Sequence, residues 1–248
     1  MRRRSIPKIR VKPINITKGV SVRPTNSRRG VNSQSLKSNA HDLYYKESAH
    51  LMKDVIFVAY YTINTAYEHE ANKLKASLSK LNLLYDIVPV PSLGSWQKNT
   101  RFKAKFMQQM LLKHKGKNLV YVDVDAVVHS IPILFKDMKC DIGIRYQDFR
   151  WRQNECLSGT IFMANNERSM KICKEWESIN IKEKDNRKNL EQWNLGNAID
   201  LYGKQIGLKV QNIPPEYTFI FDLMKQIYPN IKPVIEHFQA SRKNKNVR

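Results

Sequence analysis

The stretch from residue 117 to residue 128, KNLVYVDVDAVV, is an apolar run that two aspartates interrupt. Its β-branched residues are typical of a buried strand in a parallel sheet. Side chains two positions apart in a strand point to the same side, so Asp123 and Asp125 can direct two carboxylates to one point as the strand ends. In open α/β sheets, ligands lie beyond the carboxyl ends of the strands. The stretch therefore predicts an α/β fold with a ligand site at this strand end.

Paired carboxylates are hard oxygen ligands of the kind that Mg²⁺ and Mn²⁺ prefer. We predict that Asp123 and Asp125 bind one of these ions, which would hold a diphosphate and neutralise its charge as it leaves. The alternative is a half-exposed strand whose polar face carries Tyr121 and both aspartates. The apolar residues on both sides of the pair favour the metal site.

The chain has 248 residues, enough for one large α/β domain. We expect a basic N-terminal arm over residues 1–50, one folded domain over residues 51–242 and a basic tail over residues 243–248. Three cysteines without metal-ligand spacing indicate reduced thiols and a cytoplasmic protein. The sequence contains no apolar run of about 18 residues, so we predict no membrane span. The N-terminus lacks the apolar segment of a secretory signal.

The formal net charge of +21 predicts a polyanionic partner, such as nucleic acid, an anionic membrane or nucleotide phosphates. Residues 1–39 hold 11 lysines and arginines and no acidic residue. Few large apolar residues occur there, so this arm cannot bury enough surface to order itself. One interpretation is that the arm grips a phosphate backbone. The other is a solvated tail with no dedicated partner.

The first part of the domain reads as a β-α-β unit, with a strand over residues 54–62, a helix over 66–81 and a second strand over 85–90. This order predicts a right-handed crossover and a parallel sheet. The loop after the first strand lies where a nucleotide base would bind in such a fold. Tyr61 or Tyr67 could stack on that base, or both could pack against the core.

A loop over residues 92–99 precedes a predicted helix over residues 100–113. Lys103 and Lys105 lie near the start of that helix, where cations oppose the helix dipole. A bound diphosphate would compensate for this unfavourable placement. The alternative is that both lysines are solvated.

The second half of the domain predicts further alternating elements. They are a strand over 141–145, a polar and aromatic active-site loop over 146–155, a loop entering a strand over 157–164, helices over 167–178 and 191–202, and a last strand and turn over 210–217. Gly159 would permit close approach of the backbone to a ligand.

Five short motifs carry a resemblance to a known superfamily. They are Trp96 and Asn99 ahead of Lys103 and Lys105, then Asp123-Val124-Asp125, then Leu157-Ser158-Gly159-Thr160, then Glu191-Gln192, and finally His237. In this order they resemble the GT-A superfamily of nucleotide-sugar glycosyltransferases, in its nucleotide-diphospho-sugar transferase branch. The resemblance covers roughly Val55 to Arg242.

The resemblance implies one α/β domain of GT-A type, with a mixed, mostly parallel sheet flanked by helices. It implies a metal held by Asp123, Asp125 and His237, and catalytic roles for Asp125, Glu191 and Gln192. Together with the patterns above, it gives a donor-binding set of Tyr61, Tyr67, Lys103, Lys105, Asp123, Ser158, Gly159 and Arg242. Ser158 and Gly159 belong to the loop that lines the sugar and acceptor site in that branch.

The chain departs from the family pattern in two places. His237 is followed by Phe238-Gln239-Ala240-Ser241-Arg242 rather than by the Gly and Lys-Pro-Trp of glycogenin-like enzymes, and Arg242 could replace that lysine at the diphosphate. Glu191 replaces the usual aspartate and is one methylene longer. His237 could alternatively be a hydrogen-bonded histidine at a strand end, without a metal.

These observations together predict a metal-dependent glycosyltransferase that moves a sugar from a nucleoside diphosphate sugar to a hydroxyl group. By resemblance, His237 favours retention at the anomeric carbon. The charge of the arm favours DNA as the partner, with a hydroxylated, hypermodified base of phage DNA as acceptor. Such a base would be flipped out and stacked on aromatic side chains of the 146–155 loop, namely Tyr146, Phe149 and Trp151 beside Arg150 and Arg152.

Two alternatives remain open from the sequence. The acceptor could be a lipid-linked or surface glycan, with the arm bound to an anionic membrane. The chain could also be a basic nucleic-acid-binding protein with a degenerate transferase fold, although the intact Asp123, Asp125 and His237 argue against this.

Overall fold

The computed structural model describes residues 50–149, 152–184 and 190–240. The predicted tail, Arg242 and all of the predicted arm but its last residue lie outside these ranges. Within them the strands are β1 (Val55–Thr62), β2 (Tyr85–Val90), β3 (Asn118–Val122), β4 (Ala126–Val128), β5 (Ile142–Phe149), β6 (Arg152–Met163), β7 (Val210–Asn212), β8 (Phe219–Ile220) and β9 (Ile235–His237). The helices are α1 (Tyr67–Lys80), α2 (Trp96–Arg101), α3 (Lys103–Lys113), α4 (Leu134–Asp137), α5 (Glu167–Lys182), α6 (Glu191–Tyr202) and α7 (Phe221–Ile227).

Six strands form the main sheet in the order β2-β1-β3-β6-β5-β7. β1 runs parallel to β2 and to β3, and β7 runs parallel to β5. β6 lies antiparallel between β3 and β5. Helix α1 connects β1 to β2, as the predicted crossover requires. The mixed, mostly parallel α/β sheet predicted from the sequence is therefore confirmed. No helix among the residues described here is long and apolar enough to cross a membrane.

The central strands are buried on both faces because helices cover each side of the sheet. Phe57 of β1 packs in a core with Leu74 of α1 on one side. The next residue, Val58, packs in a second core with Phe106 of α3 and Trp176 of α5 on the other side. All five side chains are at most 1% exposed, and burying each of them contributes roughly 1.5–3 kcal/mol to folding. This explains why β1 reads as a continuous apolar run without alternation.

A second, three-stranded sheet brings the end of the chain back to the turn after β3. β9 pairs antiparallel with β4, with Ala126 opposite His237, and parallel with β8. Ala126 is the residue after Asp125. The pairing therefore places a histidine from late in the chain beside the acidic turn.

The loop predicted over residues 92–99 is right in its first half and wrong in its second, because residues 96–99 belong to α2. The side chain of Ser95 accepts a hydrogen bond of 3.2 Å from the backbone N–H of Lys98, which caps the start of α2. A break at Phe102 then separates α2 from α3, so the single helix predicted over residues 100–113 is two helices. The prediction overlooked the serine cap.

The active-site loop predicted over residues 146–155 is also wrong, since the described part of it belongs to strands β5 and β6. Tyr146 pairs with Cys156 across these strands. The pairing register shifts between Tyr146 and Asp148, and such an irregularity breaks the alternation by which a strand is recognised in a sequence. Residues 157–160, predicted as a loop, lie inside β6. Arg150 and Trp151 lie outside the described residues.

The segment over residues 210–217 is not the last strand and turn that the sequence predicts. Its strand, β7, is followed by a short 3₁₀-helix at Pro215–Tyr217 and then by β8, α7 and β9. β8 has only two residues and β9 only three. Strands this short carry too little alternation to be detected in the sequence.

Asp141, which is 2% exposed, ties α5 to the start of β5. Arg168 donates two hydrogen bonds to its carboxylate, of 2.8 and 2.9 Å, and the Lys209 backbone N–H donates another of 2.7 Å. Burial alone would raise the pKa of Asp141, but these donors and Asn166 outweigh burial and lower it.

We expect Asp141→Asn to lower the free energy of unfolding by about 2 kcal/mol at neutral pH, because charge-assisted hydrogen bonds are lost. The native carboxylate stabilises the fold above the unfolded-state pKa of about 4, and this contribution is lost as the pH falls through the lower folded-state pKa. Denaturant titrations should therefore show a smaller difference between variant and parent at pH 3 than at pH 7. Asp137→Asn, at an exposed aspartate, is the control. An equal difference at both pH values would contradict the assignment.

Candidate functional site

A cavity of about 430 Å³ opens at the carboxyl ends of β1 and β3, a size typical of ligand sites. Ten of the twelve residues predicted as site residues line it: Tyr61, Tyr67, Lys103, Asp123, Asp125, Ser158, Gly159, Glu191, Gln192 and His237. Lys105 is exposed and does not line this cavity. Arg242 lies outside the described residues. The structure thus brings together residues from six separate stretches of the chain, whose individual roles stay predictions.

The two aspartates lie on a turn and not within a strand. β3 ends at Val122, and the backbone N–H of Ala126 donates to the Asp123 carbonyl at 2.9 Å, which closes the turn. The Asp123 N–H also donates to the Gly159 carbonyl at 2.8 Å. The argument from strand periodicity therefore gives the wrong local geometry, although both side chains do line the cavity.

Asp125 is held by the segment that follows β9. The Ala240 backbone N–H donates to its Oδ2 at 2.7 Å, and its Oδ1 lies 3.9 Å from Nδ1 of His237. The latter distance is too long for a hydrogen bond. Burial acts to raise the pKa of Asp125, but the imidazole, the Ala240 N–H and the charge of Lys103 outweigh burial and lower it.

His237 is buried and its ring is fixed from the opposite side. Its Nε2 is 2.8 Å from Oγ1 of Thr160, in the neighbouring strand β6. This contact leaves Nδ1 facing Asp125. A second polar group that fixes one ring nitrogen and leaves the other toward a ligand is the usual arrangement around metal-binding histidines.

Asp123, Asp125 and His237 are the candidate ligands of a divalent metal. No three His, Cys, Asp or Glu side chains in the described ranges are already close enough together to hold a metal ion. The two carboxylates nevertheless fit, because carboxylate oxygens are the ligands that Mn²⁺ and Mg²⁺ prefer. A Cβ atom built on Gly159 would lie 3.3 Å from Asp123 Oδ2 and 3.5 Å from His237 Nδ1. The missing side chain of Gly159 therefore leaves space between two of the candidate ligands.

Lys103, the first residue of α3, is 2% exposed and forms two ion pairs. Its Nζ lies 3.0 Å from Oδ1 of Asp123 and 2.8 Å from Oε1 of Glu191. It also donates to the Ser158 carbonyl at 3.1 Å and lies 4.8 Å from the ring centre of Tyr121. Burial lowers the pKa of this ammonium, but the two carboxylates outweigh burial and raise it. Internal carboxylates, rather than a diphosphate or solvent, therefore balance this lysine at the helix start.

Glu191 begins α6 and is nearly buried. Its Oε1 accepts from Lys103 and, at 2.6 Å, from the hydroxyl of Ser158. Its Oε2 is buried and has no hydrogen-bond partner among the residues that the structure describes. Burial raises the pKa of the carboxyl group, although Lys103 and Ser158 oppose the change. One oxygen is thus fixed by the protein and the other is left for a ligand.

Gln192 lines the cavity, and its side chain is held by Glu155. The amide nitrogen donates to Oε1 of Glu155, and the indole N–H of Trp193 donates to the same oxygen at 2.8 Å. The thiol of Cys156 contacts the Gln192 carbonyl at 2.8 Å. These contacts fix the start of α6 against β6.

The charges around the cavity are unexpected in so basic a chain. Among the described residues that line it, Asp123, Asp125 and Glu191 carry carboxyl groups, and Lys103 is the one lysine or arginine. Asp123 and Asp125 alone outnumber that lysine. The described lining therefore repels an anion such as a diphosphate unless a further cation is present.

Aromatic side chains also line the cavity. Tyr61, Tyr67 and Trp96 line it, and Trp96 is 39% exposed. Burial raises the pKa of Tyr67 to about 12, with smaller contributions from Asp125 and Asp123. The ammonium group of Lys75 lies 5.6 Å from the ring centre of Tyr61. The exposed Trp96 and the half-buried Tyr61 and Tyr67 can accept a planar ring such as a nucleotide base.

Several lining residues were missed by the sequence analysis. Gln147 lies within the segment taken for a loop, and Thr218, Ile220, Leu223 and Gln239 fall after the predicted last strand. Gln239 has a positive φ of 53°, which gives the chain a sharp turn after β9. No local pattern marks these residues, because those after residue 217 reach the cavity through the second sheet and Gln147 lies at the register shift between β5 and β6.

The sequence matches no family model and no curated protein. The structure, however, is similar to solved glycosyltransferases. One is a glycosyltransferase involved in the glycosylation of the major capsid of PBCV-1, with a TM-score of 0.58 and 14% identity over 77% of this chain and 97% of that chain. Another is the glycosyltransferase GlyE of Streptococcus pneumoniae TIGR4, with a TM-score of 0.52 and 15% identity over 78% of this chain and 56% of that chain. The chain thus has a glycosyltransferase fold.

Proposed function

We propose that this protein is a metal-dependent glycosyltransferase that moves a sugar from a nucleoside diphosphate sugar to a hydroxyl group. The observation that carries the proposal is the meeting of Asp123, Asp125 and His237 in a cavity whose described charges are mainly acidic. A diphosphate cannot bind such a lining without a cation, so a donor of this class requires a metal. The fold shared with glycosyltransferases supports the same class of reaction.

The metal, Mn²⁺ or Mg²⁺, would be held by Asp123 Oδ2, Asp125 Oδ1 and His237 Nδ1. When bound, it would neutralise the charge that develops on the leaving diphosphate. Thr160 keeps His237 Nδ1 turned toward Asp125, and Lys103 fixes the other oxygen of Asp123. The protein therefore orients the ligands before the metal arrives.

The residues that line the cavity indicate where the other parts of the donor would bind. The base would stack against Tyr61 or Tyr67, with Trp96 beside them. The buried Oε2 of Glu191 can accept a hydrogen bond from a substrate hydroxyl. Direct diphosphate contact by Lys105 has no support from its exposed position, whereas the role of Arg242 stays a prediction.

For the acceptor, we propose a hydroxylated base in duplex DNA, as in hypermodified phage DNA. The support is the distribution of charge, since 11 of the basic residues lie in residues 1–39 without an acidic residue. The acidic cavity is unsuited to phosphate groups of a DNA backbone, so these would be held outside it. The alternative acceptor is a lipid-linked or surface glycan. The structural similarity to a glycosyltransferase involved in the glycosylation of the major capsid of PBCV-1 supports this alternative.

The experiment that tests both parts uses a labelled nucleotide sugar, Mn²⁺ and hydroxymethylated duplex DNA. It compares the full chain with a chain that starts at Asn39. We expect both proteins to hydrolyse the donor slowly. Loss of the arm should raise the acceptor KM and flatten its dependence on salt, because each phosphate contact releases counterions.

The outcomes separate the two parts of the proposal. Donor turnover with transfer to a glycan, and none to hydroxylated DNA, would contradict the DNA acceptor alone. An absence of any nucleotide-sugar turnover would contradict the transferase itself and favour a nucleic-acid-binding protein with a degenerate fold.

A further inference from the structure

Two buried polar side chains that line the cavity are not yet used by the proposed reaction. Gln147 lies on β5, and Thr218 immediately precedes β8. Both residues line the cavity, and both are 2% exposed. Gln147 Oε1 and Thr218 Oγ1 have no hydrogen-bond partner in the described part of the chain. Burying an unpaired polar atom is costly, so their position is best explained by a ligand that completes their hydrogen bonds.

The chemistry of the Gln147 and Thr218 side chains restricts the kind of ligand. An amide and a hydroxyl can exchange hydrogen bonds with hydroxyl groups but supply no charge. Ile220 and Leu223, which also line the cavity, add apolar surface. Arg145, a cation on the same strand as Gln147, donates to the Ile213 carbonyl and to the Tyr228 hydroxyl and does not line the cavity. These four lining residues therefore suit a neutral ring with several hydroxyl groups and an apolar face, rather than a phosphate.

We infer that Gln147 and Thr218 form a subsite that binds the hydroxyl groups of a sugar ring, with Ile220 and Leu223 against the apolar face of the ring. The inference rests on the proposed transferase function and deepens it. The ring could belong to the sugar of the donor or to a sugar unit of the acceptor. Both kinds of sugar ring would make the same contacts with the subsite. They differ in which constant a substitution changes, the dissociation constant of the donor or the KM of the acceptor.

The test uses the full chain with Thr218→Val and Gln147→Met, which keep the side-chain size and remove the polar atoms. Calorimetry with MnCl₂ would compare UDP-glucose, UDP-galactose and GDP-mannose with UDP and GDP. We expect each variant to weaken sugar binding about 3- to 10-fold, the range for a neutral hydrogen bond, and the double variant more. Thr218→Ser, which keeps the hydroxyl, should bind like the parent.

Stability provides the second readout. Neither polar atom has a hydrogen-bond partner to lose among the described residues, so we expect the Tm of Thr218→Val and Gln147→Met to equal or exceed that of the parent. Ser169→Ala is the matched control, because the Ser169 hydroxyl is buried and donates to the Asp141 carbonyl at 3.0 Å. It should lower the Tm and leave sugar binding unchanged. A larger fall in Tm for Thr218→Val than for Ser169→Ala would overturn the inference.

The binding data also identify the source of the sugar. If the ring belongs to the donor, the variants weaken nucleotide-sugar binding and leave UDP or GDP binding unchanged. If it belongs to the acceptor, donor binding stays at the parental value and the KM for transfer to methyl glucosides rises. Parental values for both constants would overturn the inference and leave the transferase function standing. Failure of the parent to bind any nucleotide sugar would overturn both.

Discussion

Asp125→Asn is expected to abolish sugar transfer while the protein stays folded. Asparagine retains an oxygen that can accept from the Ala240 N–H, so the 2.7 Å contact that holds the end of the chain can persist. It lacks the negative charge that a divalent cation requires from this position. Losing a metal's contribution of several kcal/mol to the transition state corresponds to a rate loss of at least about 10³-fold.

The matched control is Asp137→Asn, which makes the same chemical change at an exposed residue that does not line the cavity. It should keep parental activity. Transfer rates with saturating donor, and unfolding curves for both variants, separate a lost ligand from a lost fold. Parental activity in Asp125→Asn would rule out this aspartate as a metal ligand.

Lys103→Met is expected to have the largest effect on stability, at about 3 kcal/mol or more of the free energy of unfolding. The variant leaves the buried Glu191 without its ion pair and leaves Asp123 facing a second carboxyl group. Removing one partner of a buried pair typically costs about 3–5 kcal/mol, and the partial exposure of Asp123 places the estimate at the lower end.

A second change distinguishes charge imbalance from a packing defect. Adding Glu191→Gln to Lys103→Met removes the buried unpaired charge and should restore much of the lost stability, whereas a packing defect would remain. Lys105→Met, at an exposed position of the same helix, should change the free energy of unfolding by no more than about 0.5 kcal/mol. Guanidinium unfolding curves measure all three. Equal stability of Lys103→Met and the parent would show that the buried pair contributes nothing.

The sequence predicts the main sheet well, because its strands are marked by local patterns. Residues 54–62 and 85–90 read as strands and residues 66–81 as a helix, and the structure agrees within one residue at each end. The short strands β8 and β9 have too few residues to show an alternation. The strand predicted over residues 141–145 is the first half of β5, and the register shift beside Tyr146 hides its second half. These parts of the fold depend on pairing between distant segments.

The candidate site also has residues that a local pattern marks and residues that only the pairing of distant segments brings together. The acidic pair was found from its neighbours in the sequence, although it lies on a turn. His237 was found by resemblance alone, since only the pairing of β9 with β4 brings it to Asp125. The burial of Lys103 could not be predicted, because its partners lie 20 and 88 positions along the chain. Gln147 and Thr218 gave no local signal either, because the register shift in β5 and the shortness of β8 hide the elements that carry them to the cavity.

Metal-dependent donor turnover can be measured as hydrolysis of a panel of nucleotide sugars by the full chain, titrated with Mn²⁺ and then with excess chelator. We expect turnover that rises with Mn²⁺, disappears in chelator, returns when Mn²⁺ is restored and is absent from Asp125→Asn at every Mn²⁺ concentration. Turnover that persists unchanged in excess chelator would contradict the proposed metal dependence.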